Sequence, residues 1–136
     1  IINEFPYITT LVAGFLAFVL GVIWYHPKVL GEKWLVARGK STLDTQPSAA
    51  LRFVVSLLLW ILASVFYTFL VDFHAVDNAA ALVCLSSLLW VAFAMPPTVM
   101  GALYTGYPFQ AVAIDSAYQL AGYYVFAAVH IGASLI

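Results

Sequence analysis

Gly21-Val22-Ile23-Trp24-Tyr25-His26-Pro27-Lys28-Val29-Leu30-Gly31-Glu32-Lys33-Trp34 is the stretch on which the fold turns. Positions 5–25 carry no charged residue, and then two lysines and a glutamate arrive within six positions of Pro27. An uncharged run of that length matches the roughly 20 apolar residues that a helix needs to cross a bilayer. Pro27 has no N–H to donate, so a helix arriving from residue 6 is expected to stop there. Trp24, Tyr25 and Trp34 have one apolar and one polar end, and Lys28 and Lys33 can reach toward headgroups. All five are therefore expected to anchor the chain at a membrane interface.

The composition agrees. Of 136 residues, 65% are hydrophobic and 8% charged. A soluble domain carries about 25% charged residues, so this inventory is too poor to cover a surface facing water. Lipid is the expected surrounding. The length allows four spans with short loops in a single membrane domain over 1–136. A net charge of -1 leaves no basic stripe for a nucleic-acid partner. Cys84 is alone, which excludes an intrachain disulfide and reads as a small buried hydrophobe. The chain starts at Ile1 instead of methionine, as after removal of a targeting segment or trimming of the start.

Outward from the opening stretch, the apolar runs predict an all-α protein. The expectation is a four-transmembrane-helix bundle with spans at 6–26, 49–71, 79–100 and 108–135. A short interfacial helix should follow the first span, where Val29, Leu30, Trp34 and Leu35 interleave with charges, and a turn-rich segment over 39–48 comes next. Gly14, Ala17 and Gly21 share a small-residue face on the first span. Ser56, Trp60, Ala63 and Tyr67 share one face of the second. Asp77 or Asn78 is placed to cap the third span. Pro96-Pro97 should kink or break it. Gly101 through Tyr107 reads as a turn, and Pro108 suits the first position of the last helix. On that helix Asp115, Gln119, Gly122, Phe126, His130 and Ala133 form one stripe, expected to face the bundle interior.

Lys28, Lys33, Arg38, Lys40 and Arg52 all lie in the first loop or at its border, and the second loop has none. The positive-inside rule then puts the first loop on the cytoplasmic or matrix side, with both termini opposite. Asp115 lies about 10 Å into the last span, where a lone carboxylate is costly. Arg52 is the basic residue expected at its depth, so an Arg52–Asp115 structural ion pair is predicted. Interfacial hydration and a transport role for the acid remain open alternatives. His130 falls near the opposite surface, where His74, Asp72 and Asp77 could be imagined around a metal, although no spacing enforces one. No phosphate-cradling loop, Gly-x-Ser-x-Gly elbow or His-Glu-x-x-His stands in the chain. The expectation is no enzyme, no catalytic residue, no cofactor and no metal.

Three spaced blocks carry a resemblance: Gly21-x-x-Trp24-Tyr25-x-Pro27-x-x-x-Gly31-x-x-Trp34, Pro97-Thr98-Val99-Met100-Gly101-Ala102-Leu103-Tyr104, and Ile114-Asp115-Ser116-Ala117-Tyr118-Gln119-Leu120-Ala121-Gly122-Tyr123. In this order they resemble the domain-of-unknown-function family 1761, small four-helix membrane proteins found mainly in bacteria. Leu30, where an aromatic is common, and His130, in a usually apolar helix, depart from that pattern. The resemblance implies membrane residence and a fold class, and supplies no activity.

The reading that remains is a structural, lipid-bound accessory subunit of a larger membrane assembly, respiratory or otherwise energy-transducing, with other membrane subunits or further copies of itself as partners. The mitochondrial inner membrane or the bacterial cytoplasmic membrane would house it. The alternative is a small oligomeric transporter or channel that uses Asp115 and the Pro96-Pro97 break.

Overall fold

The computed structural model describes residues 6–37 and 49–134, and over these the chain is all-α. Its elements are α1 (Tyr7–Trp24), a π-helical turn (Pro27–Gly31) leading into α2 (Glu32–Ala37), α3 (Ala49–Phe73), α4 (Ala79–Leu89), a second π-helical turn (Trp90–Ala94), α5 (Met95–Thr105) and α6 (Phe109–Ser134). The α4 and α5 segments form one continuous rod from Ala79 to Thr105. Among the described residues three helices are long and apolar enough to cross a membrane: α1, α3 and this rod. The charged segment at Arg38, Lys40 and Asp44 lies outside the described residues, as does Leu135.

Local chemistry sets the boundaries. At its C-terminus α1 gives way to a turn at Tyr25 and His26, and the His26 Nδ1 accepts from the Lys28 N–H at 3.1 Å. Asn78 caps α4, its side chain accepting from the Ala81 N–H at 2.8 Å. The rod passes the expected 100 and runs to Thr105. Gly101 continues the helix, and the chain turns at Gly106, whose φ of 73° suits a residue without Cβ.

The two prolines do not end the rod. In the π turn the Met95 N–H donates to the Trp90 carbonyl, five residues back, and the α-helical ladder restarts at Met95. Pro96 and Pro97 thereby fall in the first turn of α5, where proline's fixed φ suits the helix. The expected break at Pro96-Pro97 is thus a shift in hydrogen-bond register immediately before them.

The hub is α6, which packs against α1, α2, α4 and α5, while α1 packs against α3. The tight core gathers Ala13 and Ala17 of α1, Tyr67 and Val71 of α3, Leu82 of α4, and Phe126 and Ala127 of α6. Small residues let the backbones close up: a Cβ on Gly14 would stand 3.0 Å from the Ile61 Cα. The α3 seam differs from the expected one. Ser64, Tyr67, Thr68 and Val71 are buried, whereas Ser56 is exposed. On α6, Gly122, Phe126 and His130 are buried, Asp115 and Gln119 half-buried, and Ala133 exposed. Large apolar side chains such as Leu58, Leu62, Phe66, Phe93 and Leu103 point outward, as they would toward lipid.

Candidate functional site

Two polar clusters sit in the helix seams, one at each end of the bundle. The first surrounds Asp115. Tyr25 donates its hydroxyl to Asp115 Oδ1 at 2.5 Å, and Tyr107 donates to Oδ2 at 3.1 Å. Trp24 Nε1 donates to the Ile114 carbonyl at 3.2 Å. The aromatic pair ending α1 is therefore docked on the first turns of α6. The Tyr25 ring meets Trp34 edge-on at 5.2 Å and Tyr118 at 5.3 Å, geometries that aromatic quadrupoles favour. Tyr118 accepts from Trp60 Nε1 at 2.5 Å and donates to the Ala17 carbonyl at 3.2 Å, so one hydroxyl joins α1, α3 and α6. Gly21 makes room for it, because a Cβ there would collide with the Tyr118 hydroxyl.

Arg52 does not take the expected place. Its side chain is exposed, with the guanidinium 5.7 Å from the centre of the Phe53 ring. Among the described residues Arg52 makes no ion pair with Asp115, and the carboxylate is met by tyrosine hydroxyls. An arginine one turn into a span can reach outward to the interface, a lower-energy position than burial. Lys28 and Lys33 are exposed, whereas Trp24, Tyr25 and Trp34 are half-buried against protein.

The second cluster was not visible in the sequence. Thr10 of α1, Ser64 and Thr68 of α3 and His130 of α6 are all at most 8% exposed. Thr10 donates to the Ser64 carbonyl at 3.1 Å, and Ser64 donates to the Thr10 carbonyl at 2.7 Å. Thr10 and Thr68 share a hydrogen bond, and Thr68 Oγ1 reaches His130 Nε2 at 3.0 Å. His130 Nδ1 lies 2.8 Å from the Phe126 carbonyl, which can only accept; Nδ1 thus carries the proton in that bond. Beside it, Tyr67 meets Ser86, which donates to the Tyr123 carbonyl at 2.8 Å. The weak signal was Ser64 and Thr68, four residues apart on one helical face.

His130 has both ring nitrogens engaged inside the bundle, and His74 sits edge-on to the Phe73 ring at 5.1 Å. Asp72, His74 and Asp77 are exposed. No cluster of three or more metal-ligating side chains forms among the described residues. Gln119 is matched by Thr98 of α5 at 3.2 Å, and Trp90 Nε1 donates to the Ser116 carbonyl at 2.8 Å. The chemistry on display is helix-to-helix hydrogen bonding.

A family model described as "Protein of unknown function (DUF1761)" matches residues 8–131. The chain belongs to DUF1761. The match takes in Trp24, Tyr25, Asp115 and Tyr118, so both clusters of this DUF1761 chain lie within the family's own region. No match was found among curated proteins or solved structures.

Proposed function

We propose that this is a four-span integral membrane protein with no catalytic role, serving as a structural accessory subunit of a larger membrane assembly. In this reading α6 is the fourth span and α2 lies in the interface. The observation that carries it is the fate of the polar stripe on α6. Asp115, Gln119 and His130 are each hydrogen-bonded to a side chain of another segment, while bulky apolar residues are turned outward. Polar groups spent on helix association, with an apolar exterior, suit a packing module better than a conduit. The five-to-zero distribution of basic residues supports a cytoplasmic or matrix location for the first loop. A bacterial cytoplasmic or mitochondrial inner membrane, and an energy-transducing assembly within it, are the setting that this reading adopts.

Native mass and partner identification after mild solubilisation test it. A defined complex containing a second protein is expected, and a homogeneous monomer would contradict it. The transport alternative requires Asp115 to serve a path. Substrate flux in proteoliposomes that disappears in Asp115→Asn would replace the accessory reading with that one.

A further inference from the structure

The hydrogens of the Thr10–Ser64–Thr68–His130 cluster do not add up for a neutral ring. Four contacts run in series. Thr10 Oγ1 meets the Ser64 carbonyl at 3.1 Å, and the Thr10 and Thr68 hydroxyls meet each other. Thr68 Oγ1 lies 3.0 Å from His130 Nε2, and His130 Nδ1 lies 2.8 Å from the Phe126 carbonyl. Each contact needs one hydrogen, and the carbonyl at either end only accepts. The two threonine hydroxyls bring one each, and a neutral imidazole brings a third. Ser64 cannot supply the fourth, because its hydroxyl is spent on the Thr10 carbonyl at 2.7 Å. One contact is left with lone pairs facing each other, whichever tautomer the ring adopts. The imidazolium carries a hydrogen on both ring nitrogens. Nδ1 then donates to Phe126, Nε2 to Thr68, Thr68 to Thr10 and Thr10 to Ser64, and every contact is filled.

We propose that this cluster is a proton-binding site, where His130 takes a second ring proton inside the closed bundle from water at the Asp72 end. Burial opposes the charge, and three features offset it. The first is the completed set of hydrogen bonds. The second is the Tyr67 ring, 5.2 Å from the His130 ring, within the range over which an aromatic ring attracts a cation. The third is Asp72, one turn beyond Thr68 on α3, exposed and within electrostatic reach of His130. The other helices around the cluster, α1 and α4, hold no carboxylate, lysine, arginine or histidine, and their Tyr7 and Cys84 are exposed. On α6 itself Asp115 is about 22 Å away and Tyr123 about 10 Å along the axis. His130 precedes Ser134, the last residue of α6, by about 6 Å of helix, so the path for a proton from the surface is short. Protonation completes the seam of α1, α3 and α6, and loss of the proton leaves it one bond short. No partner protein is required.

The test is nitrogen-15 NMR of ring-labelled histidine in the full chain in lipid bilayers, from about pH 8 to about pH 5. His26→Asn and His74→Asn leave His130 as the only reporter. The expected result is the imidazolium signature, both ring nitrogens protonated, appearing in this range while the helices stay packed. Thr10→Val gives the second arm. It removes two contacts and one hydrogen, and the two contacts that remain are filled by the Thr68 hydroxyl and a neutral ring. The proton affinity of His130 should therefore fall about tenfold, one pH unit, in Thr10→Val and hold in Thr10→Ser. A ring that stays neutral throughout the range in the folded chain, or that charges only as the helices come apart, would overturn the proposal. Equal proton affinity in Thr10→Val and the chain with Thr10 intact would overturn it as well.

Discussion

Tyr25 and Asp115 stand 90 positions apart in the chain and are joined by a 2.5 Å hydrogen bond between the end of α1 and the beginning of α6. That bond closes the bundle at the end where the first lysines appear. Tyr25→Phe keeps the ring contacts with Trp34 and Tyr118 and removes only the donor. A loss of about 1–2 kcal/mol is expected, measured by reversible unfolding in mixed detergent. A cycle with Asp115→Asn should show coupling above about 0.5 kcal/mol. Zero coupling would mean that the contact contributes nothing.

Arg52 and Asp115 provide the matching negative case. Arg52 lies over Phe53, and Asp115 is held by two tyrosines. In a cycle with Arg52→Ala and Asp115→Ala the losses should add within about 0.5 kcal/mol. Strong coupling would restore the ion pair that charge counting alone suggests.

The buried Thr10–Ser64–Thr68–His130 cluster predicts a cost wherever a single member is removed. Thr68→Val keeps the shape and leaves Thr10 and the His130 Nε2 short of a partner. About 1–3 kcal/mol should be lost, as for buried polar groups deprived of a partner, although interhelical bonds in membranes average nearer 0.6 kcal/mol. Thr68→Ser keeps the hydroxyl and should recover most of it. Equal losses in the two variants would show that the hydroxyl is unimportant.

Glycine contacts give a steric prediction. A Cβ at Gly122 would run into the Trp60 indole, which also meets Phe126 edge-on at 5.5 Å. Gly122→Ala must displace that ring, with a loss of about 1–3 kcal/mol. At Gly101 nothing lies within 4 Å, so Gly101→Ala, inside a helix, should be neutral or stabilising by up to about 1 kcal/mol. Reversed signs at the two sites, in the same unfolding assay, would contradict the packing described.

These residues also show how far the sequence could be read. Apolar runs placed α1, α3 and α6 within about two residues at their ends, because hydropathy along the chain is a one-dimensional property. The Asn78 cap was legible for the same reason: it depends on residues three positions apart. The rod misled. Pro96-Pro97 and Gly101 are strong local punctuation, yet the π turn at Trp90–Ala94 absorbs the prolines and the helix carries through the glycine. The partners of Asp115 were hidden because charge counting ranks arginine above tyrosine, while only the fold brings Tyr25 and Tyr107 to the carboxylate. Thr10, Ser64 and Thr68 are mild polar residues in apolar runs, and become a cluster only when three helices meet.

Everything proposed here depends on α6 being a fourth crossing, since its polar stripe must lie inside a bundle in the membrane. Single cysteines at Lys33, Asp77 and Ser134 in a Cys84→Ala background, probed with a membrane-impermeant maleimide on intact and opened membranes, decide it. The four-span account predicts that Asp77→Cys and Ser134→Cys label from the same side and Lys33→Cys from the other. Labelling of Ser134→Cys from the side of Lys33→Cys would leave α6 without a crossing and contradict the account.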